Sequence, residues 1–182
     1  AAGAALVVLI GSLPQDTPDT FYRELLQRTT CPTVLDFRGA GLLSVLDLEP
    51  YVVKPNRDEL AQSLGRPLDD DQALVAAMRT LNGQGAQWVV ITQGPAAVWA
   101  TSAREIYRFR PLAVPDAVNP IASGDAVAAT IAWATRSGRP LPDAVRLGIA
   151  AAAQNVRQLL PCRLDPQTLE AAAASVSVER LE

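Results

Sequence analysis

The chain alternates short, continuous apolar runs with longer stretches in which apolar positions recur every three or four residues. Residues 6–10 form one such run, which stops at Gly11, and residues 88–92 form another. Continuous runs of this length are typical of buried parallel strands, and the helical periodicity between them predicts crossover helices. The alternation predicts a three-layer α/β/α fold with a mainly parallel sheet, in a single α/β domain over residues 1–182.

Further elements follow from the same patterns. Strands are predicted at 33–36 and 51–53, a hairpin at 97–101 and 105–110, and extended segments at 114–118 and 176–178. The predicted helices cover residues 18–28, 41–46, 56–64, 70–83, 125–137, 142–160 and 166–174. In the first helix Phe21 and Leu25 are expected to face inward, with Leu26 as a further candidate, and Trp88, Trp99 and Trp133 are assigned to the core.

Polar side chains and glycines follow the ends of four predicted strands. Ligands of parallel α/β sheets bind beyond the carboxyl ends of the strands, so we expect these segments to meet at one edge of the sheet. They are Gly11 with Ser12, Asp36, Lys54 with Asn56, and Thr92 with Gly94.

A short turn, residues 121–125, directly precedes a long Ala-rich helix. The N–H groups of a helix's first turn, together with the positive end of its dipole, form an anion site. A carboxylate in that site can also accept a proton from an attacking hydroxyl, and the two features together suit phosphoryl transfer. Plain helix capping is an equally simple explanation of the turn, because Ser123 and Asp125 are common N-cap residues.

Composition argues against several classes of function. The chain has no histidine, which excludes Ser-His-Asp and Cys-His catalysis and histidine-ligated metals. A net charge of −3 without basic runs argues against nucleic acid and membrane surfaces as partners. No apolar run reaches the roughly 20 residues that span a bilayer, and the apolar start is interpreted as a strand rather than a leader. The two isolated cysteines, Cys31 and Cys162, fit a reducing cytoplasm.

The candidate motifs occur in a defined order. They are Gly11-Ser12-Leu13-Pro14, Asp36, Lys54-Pro55-Asn56 with Glu59, Thr92-Gln93-Gly94, and Ser123-Gly124-Asp125. This order resembles the PfkB, or ribokinase-like, carbohydrate kinases over essentially the whole chain. It is most similar to the branch that phosphorylates sugar phosphates, the 1-phosphofructokinase and tagatose-6-phosphate kinase group. The resemblance implies a cytoplasmic kinase that uses ATP and Mg²⁺ to phosphorylate a sugar or sugar phosphate.

The resemblance also implies a role for each matching residue. Asp125 is the base that accepts the proton of the sugar hydroxyl, and Glu59 is the metal ligand. The implied anion hole consists of the amides of Ala122, Ser123 and Gly124, together with the amide of Asp125. The residues implied on the nucleotide are Lys54, Asn56, Thr92, Gly94 and Asn155. Those implied on the substrate side are Gly11 and Ser12.

Purely structural roles stay open for several of these residues. Asn56 and Glu59, three apart at the start of a predicted helix, also fit a capping box. Thr92 and Gly94 also fit an ordinary turn at the exit of a strand. Lys54 also fits a surface position, Asp36 a helix cap and Asn155 a solvent-facing position.

The chain departs from the family pattern in its length and its glycines. It matches only the C-terminal part of the longer family members, so we expect a missing N-terminal portion or a partner such as a second copy in a homo-oligomer. Ala122 and Asp16 stand where the family has glycine, and a methyl at 122 disfavours a positive φ and crowds a phosphate. The alternative function is therefore a catalytically impaired kinase-fold scaffold that binds a nucleotide or a partner.

Overall fold

The computed structural model describes residues 3–182, which divide into two compact units. The first unit contains the described chain up to Thr92, together with Trp99–Ile106 and Glu182. The second contains Gln93–Val98 and Tyr107–Leu181. Ala1 and Ala2, which open the apolar segment interpreted as a strand, lie outside the described residues.

Seven strands of the described chain belong to a mixed sheet, so the predicted α/β class is confirmed. The strands are β1 (Val7–Ile10), β2 (Thr33–Asp36), β3 (Val52–Val53), β4 (Trp88–Ile91), β5 (Val98–Thr101), β6 (Ile106–Arg110) and β7 (Ser177–Arg180). The helices are α1 (Phe21–Leu26), α2 (Ala40–Leu43), α3 (Arg57–Leu64), α4 (Asp71–Gly83), α5 (Ser123–Arg136), α6 (Leu141–Asn155) and α7 (Pro166–Ala174), with a 3-10 turn at Leu46–Leu48.

The first unit is built on parallel strands. Strands β1 to β4 pair in parallel, and the part of β5 in this unit pairs antiparallel with β4. The amide of Gly11 donates to the carbonyl of Asp36 at 3.0 Å, and the amide of Lys54 donates to the carbonyl of Leu35 at 2.8 Å. The carboxyl ends of the parallel strands therefore lie at one edge, as the sequence predicts.

The second unit contains an antiparallel pair, β6 with β7, and the helices α5, α6 and α7. Helix α6 packs against both of its helical neighbours. Gly148 allows α6 to approach α5 closely, because a Cβ at this position would lie 3.1 Å from Cγ1 and 3.3 Å from the carbonyl oxygen of Val127. The predicted strand at 176–178 is confirmed as β7, displaced by one residue at its start.

Burial at the start of the chain is lower than predicted. Val7 and Leu9 of β1 are only half-buried and Ile10 is 39% exposed, because within the described residues β1 has a strand neighbour on one side only. Helix α1 is shorter than the predicted 18–28 and buries only Leu26, whereas Phe21 and Leu25 are exposed. A helix of fewer than two turns presents too short a face to bury all three.

Three predictions about the later elements are wrong. Residues 114–118 form no strand; the amides of Val118 and Asn119 instead donate to the carbonyl of Val156, just beyond the end of α6. Helix α6 accordingly ends before residue 160. Trp133 is 51% exposed rather than in the core, and its ring stacks against the guanidinium of Arg139.

Among the helices of residues 3–182, none has the length and apolarity needed to cross a bilayer.

Candidate active site

The ends of β2 and β3 carry a buried ion pair. Lys54 Nζ lies 2.8 Å from Asp36 Oδ2, and Lys54 is only 2% exposed. A surface position for Lys54 is therefore wrong. A helix cap at Asp36 is also wrong, since the N-cap of α2 is Gly39 and this helix has no side-chain cap. Removing one partner from such a pair leaves a buried charge, at a typical cost of about 3–5 kcal/mol.

Helix α3 begins with a complete capping box. Asn56 Oδ1 accepts the amide of Glu59 at 2.8 Å, and Glu59 Oε2 accepts the amide of Asn56 at 2.9 Å. The capping role is thus confirmed for this pair. Of the first-turn donors of α3, the amide of Glu59 is accepted by Asn56 Oδ1 and the amide of Arg57 by the carbonyl of Thr92, so neither is presented to an anion.

Thr92 is the third site residue at this edge. A parallel bridge joins it to Asn56, and its carbonyl accepts the amide of Arg57 at 3.2 Å. The fold thus brings three predicted residues together: Asn56, Glu59 and Thr92. Sequence reasoning missed a neighbour, Arg38, whose Nη1 lies 3.8 Å from Glu59 Oε1. No sequence signal predicts this contact, because only the tertiary structure brings the loop after β2 to α3.

The donor chemistry at α3 fits a magnesium ion. Glu59 is a partly exposed carboxylate, and Asn56 adds an amide oxygen. No group of three or more His, Cys, Asp or Glu side chains that could hold a metal occurs among the described residues. A cation here therefore depends on water and phosphate oxygens for its remaining ligands, as Mg²⁺ commonly does.

The loop after β1 has a positive φ at two residues. Gly11 has φ +99° and its carbonyl accepts the hydroxyl of Tyr22 at 3.0 Å, and Ser12 beside it is exposed. Asp16, which stands where the resemblance expects glycine, has φ +64°. A residue other than glycine therefore holds a left-handed conformation at this position.

Gly94 belongs to the second unit and lies in a tight, exposed turn. Its φ is +57°, and the turn is closed by Gln93 Nε2, which donates to the carbonyl of Ala97 at 2.7 Å. Loop conformation alone accounts for a glycine here. Its predicted contact with the nucleotide stays a prediction.

Helix α5 begins without a side-chain cap. Its N-cap is Ala122, which has φ 59° and ψ 14°, so the capping explanation of Ser123 and Asp125 is wrong. The amide of Ser123 donates to the carbonyl of Pro120. The amides of Gly124 and Asp125 have no acceptor among residues 3–182, and Asp125 is exposed. These groups have the properties of an anion site with an adjacent carboxylate.

Asn155 is fully buried and holds this turn from the end of α6. Its Nδ2 donates to the carbonyl of Ile121 at 2.8 Å and to Ser123 Oγ at 3.0 Å, and its Oδ1 accepts the amide of Cys162 at 2.7 Å. A solvent-facing position for Asn155 is therefore wrong. A sequence signal was available, because Asn155 lies four residues after Ala151 on the apolar stripe of α6.

The segment before the turn is also anchored to the end of α6. Arg157 Nε lies 3.1 and 3.2 Å from the two carboxylate oxygens of Asp116. These hydrogen bonds lower the pKa of the Asp116 carboxyl below its usual value. Contacts from the α6 end therefore hold the chain on both sides of residues 118–120.

Solved structures define the class of fold. The chain superimposes on phosphofructokinase-2 from Escherichia coli in complex with substrates and products with a TM-score of 0.81 and 23% identity, covering 93% of this chain and 56% of that one. It superimposes on ribokinase from Arabidopsis thaliana complexed with ribose and ATP with a TM-score of 0.78 and 18% identity, again covering 93% and 56%. The protein thus has the ribokinase-like α/β fold that the sequence predicts.

The chain belongs to the pfkB family of carbohydrate kinases, whose family model matches residues 1–167. Over 116 residues it is 36% identical to D-tagatose-1-phosphate kinase from Klebsiella oxytoca, a match that covers 58% of this chain and 38% of that protein. The family predicted from the motif order is confirmed. The chain spans well under two thirds of the length of these relatives.

Proposed function

We propose that this chain supplies the ATP-binding and catalytic-base part of a sugar-phosphate kinase. The observation that carries the proposal is the start of α5, where free amides of Gly124 and Asp125 accompany an exposed carboxylate. Family membership supports it, as do the names of two relatives: one is a kinase of D-tagatose 1-phosphate, and the ribokinase is complexed with ATP.

In the proposed reaction, Asp125 accepts the proton of a sugar hydroxyl while the hydroxyl oxygen bonds to the γ-phosphorus of ATP. The bond between that phosphorus and the bridging oxygen breaks, and ADP leaves with the electron pair. The free amides and the positive end of α5 stabilise charge on the transferring group. Ser123 contributes less through its amide than the resemblance implies, because that amide already has Pro120 as its acceptor.

The turn is preorganised for this role. Asn155 donates hydrogen bonds to Ile121 and Ser123 in this turn, and Ala122 adopts the left-handed conformation at the N-cap of α5. Donors fixed before a ligand arrives cost no reorganisation when charge develops on it.

Glu59 and Asn56 are the residues that would hold Mg²⁺, which supplies neutralisation of the phosphate charge. Glu59 Oε1 is the oxygen outside the capping box, so it is the ligand atom we assign to the cation. Thr92 is joined to Asn56 by a parallel β-bridge.

The decisive variant is Asp125→Asn. We expect it to lower sugar-phosphate-dependent ADP release about 10²–10⁴-fold while ATP binding, measured by calorimetry with Mg²⁺, changes little. Asp143→Asn, an exposed acid at the start of α6, is the matched control and should keep full turnover. Near-normal turnover of Asp125→Asn would contradict the proposal.

A second function has one observation in its favour. Ala122 places a methyl on the left-handed turn, where glycine would leave room for a phosphate. This function is a scaffold that binds nucleotide without catalysis. ATP binding without sugar-dependent ADP release would favour the scaffold, and robust ADP release would exclude it.

A homo-oligomer in the cytoplasm is part of the same proposal. Its support is the solved tetrameric inhibited form of phosphofructokinase-2 from Escherichia coli, to which this chain is similar in fold. Sedimentation velocity measures the assembly state directly, and a species with the mass of one chain at all concentrations would contradict the oligomer.

A further inference from the structure

Arg38 places a positive charge beside the oxygen of Glu59 that we assign to the metal. The distance from Arg38 Nη1 to Glu59 Oε1 is 3.8 Å, while Glu59 Oε2 is held by the amide of Asn56 at 2.9 Å. The side chains of Arg38 and Glu59 are 49% and 25% exposed. The guanidinium therefore faces the one carboxylate oxygen that the capping box leaves available.

The loop that carries Arg38 is fixed on α3. The amide of Gly39 donates to Ser63 Oγ at 2.8 Å, and the Ser63 hydroxyl donates to the carbonyl of Glu59 at 2.6 Å. Glu59 and Ser63 are one helical turn apart on α3, so they lie on the same face. On its other side, Asp36 anchors the segment through its ion pair with Lys54. The position of Arg38 beside Glu59 is thus set by its neighbours.

We propose that Arg38 is a built-in competitor of the divalent cation at Glu59. The inference rests on the proposed function, because it takes Glu59 as the ligand of the nucleotide's Mg²⁺. A cation at Oε1 meets the charge of Arg38 a few ångströms away and must displace the guanidinium. Binding of the free cation is thereby weakened, by about 3–10-fold once solvent screening of a half-exposed pair is considered.

The competition favours a cation that arrives with phosphates over a free cation. A displaced guanidinium keeps its five N–H donors and has no carboxylate partner, and phosphate oxygens are its natural acceptors. Removing Arg38 is therefore expected to strengthen binding of the free cation more than binding of the nucleotide-bound cation.

The test measures Mn²⁺ binding to the chain without nucleotide, by the electron paramagnetic resonance signal of free Mn²⁺. We expect Arg38→Gln to bind about 3–10-fold more tightly than the wild type, and Arg38→Lys, which keeps the charge, to bind as the wild type does. Arg104→Gln is the charge-matched control; this exposed arginine lies in the turn between β5 and β6 and has no ion pair within the described chain. It should leave the affinity unchanged.

Glu59→Gln separates the inference from the proposed function. If it abolishes Mn²⁺ binding and Arg38→Gln binds no more tightly than the wild type, the competition is refuted and the metal role of Glu59 survives. If Glu59→Gln binds as well as the wild type, the metal role fails and the inference fails with it. If no variant binds free Mn²⁺, the competition is refuted. Circular dichroism of each variant confirms that the comparison is between folded proteins.

Discussion

Helices α3 and α5 begin in opposite ways. At α3, Asn56 and Glu59 satisfy each other's amides, so this helix start has a side-chain cap. At α5, the N-cap is Ala122, no side chain caps the helix, and the amides of Gly124 and Asp125 have no acceptor among residues 3–182. One helix start is capped by side chains, and the other has no side-chain cap.

This difference separates the chemistry that each start can perform. The capped start presents oxygens, from a carboxylate and an amide, which suit a cation. The uncapped start presents N–H donors and the positive end of a dipole, which suit an anion. A helix start left uncapped must be held by other parts of the chain, and Asn155 does this for α5.

The largest expected effect comes from removing that external support. Asn155→Leu keeps the size of the side chain but leaves three polar groups without their partner, so we expect unfolding to become easier by about 2–4 kcal/mol. Urea denaturation measures the change, and hydrogen exchange should locate it at residues 121–125. Asn155→Asp, which keeps the acceptor for Cys162, should cost less. A loss below about 1 kcal/mol in Asn155→Leu would show that the turn holds itself.

A smaller effect tests the internal cap of α3. Asn56→Ala should cost about 1–2 kcal/mol of stability, because it removes a side-chain cap. Ser123→Ala, at the corresponding end of α5, removes only one hydrogen bond with Asn155 and should cost about 0.5–1 kcal/mol. Denaturation curves of the two variants measure both values. An equal or larger loss in Ser123→Ala would contradict the contrast between the helix starts.

The smallest effect, with the opposite sign, is expected at Ala122. Glycine removes the strain of the left-handed conformation, which costs alanine about 1–2 kcal/mol. Glycine also gives the unfolded chain more conformational entropy, which lowers the stability of the folded state by about 0.4–1 kcal/mol. Ala122→Gly should therefore stabilise the protein by about 0.5 kcal/mol.

The control for Ala122 is the same substitution at an exposed interior position of the same helix. Ala129→Gly should destabilise the protein by about 1 kcal/mol. Thermal denaturation of both variants gives the two signs, and a loss of stability at both positions would show that the turn is unstrained.

Local sequence was sufficient where the deciding contacts are local. Helices α3, α4 and α7 have their predicted bounds within a residue, and their caps, Asn56, Asp70 and Asp165, act within three residues of themselves. The buried run of β4 was also visible in the sequence. Burial at β1 and α1 was overestimated, because periodicity reports which residues share a face but not whether another element covers that face.

The sequence by itself determined the α/β class and the order of the motifs, because the period of the apolar positions distinguishes strands from helices. It also determined that four strand ends meet at one edge, because parallel strands have their carboxyl ends on the same side of a sheet. Only the tertiary structure decided that Lys54 is buried against Asp36, that Arg38 faces Glu59 and that Asn155 binds the turn before α5. Each of these contacts joins residues from different elements. Their partners are selected by packing and by the cost of leaving a buried polar group unpaired.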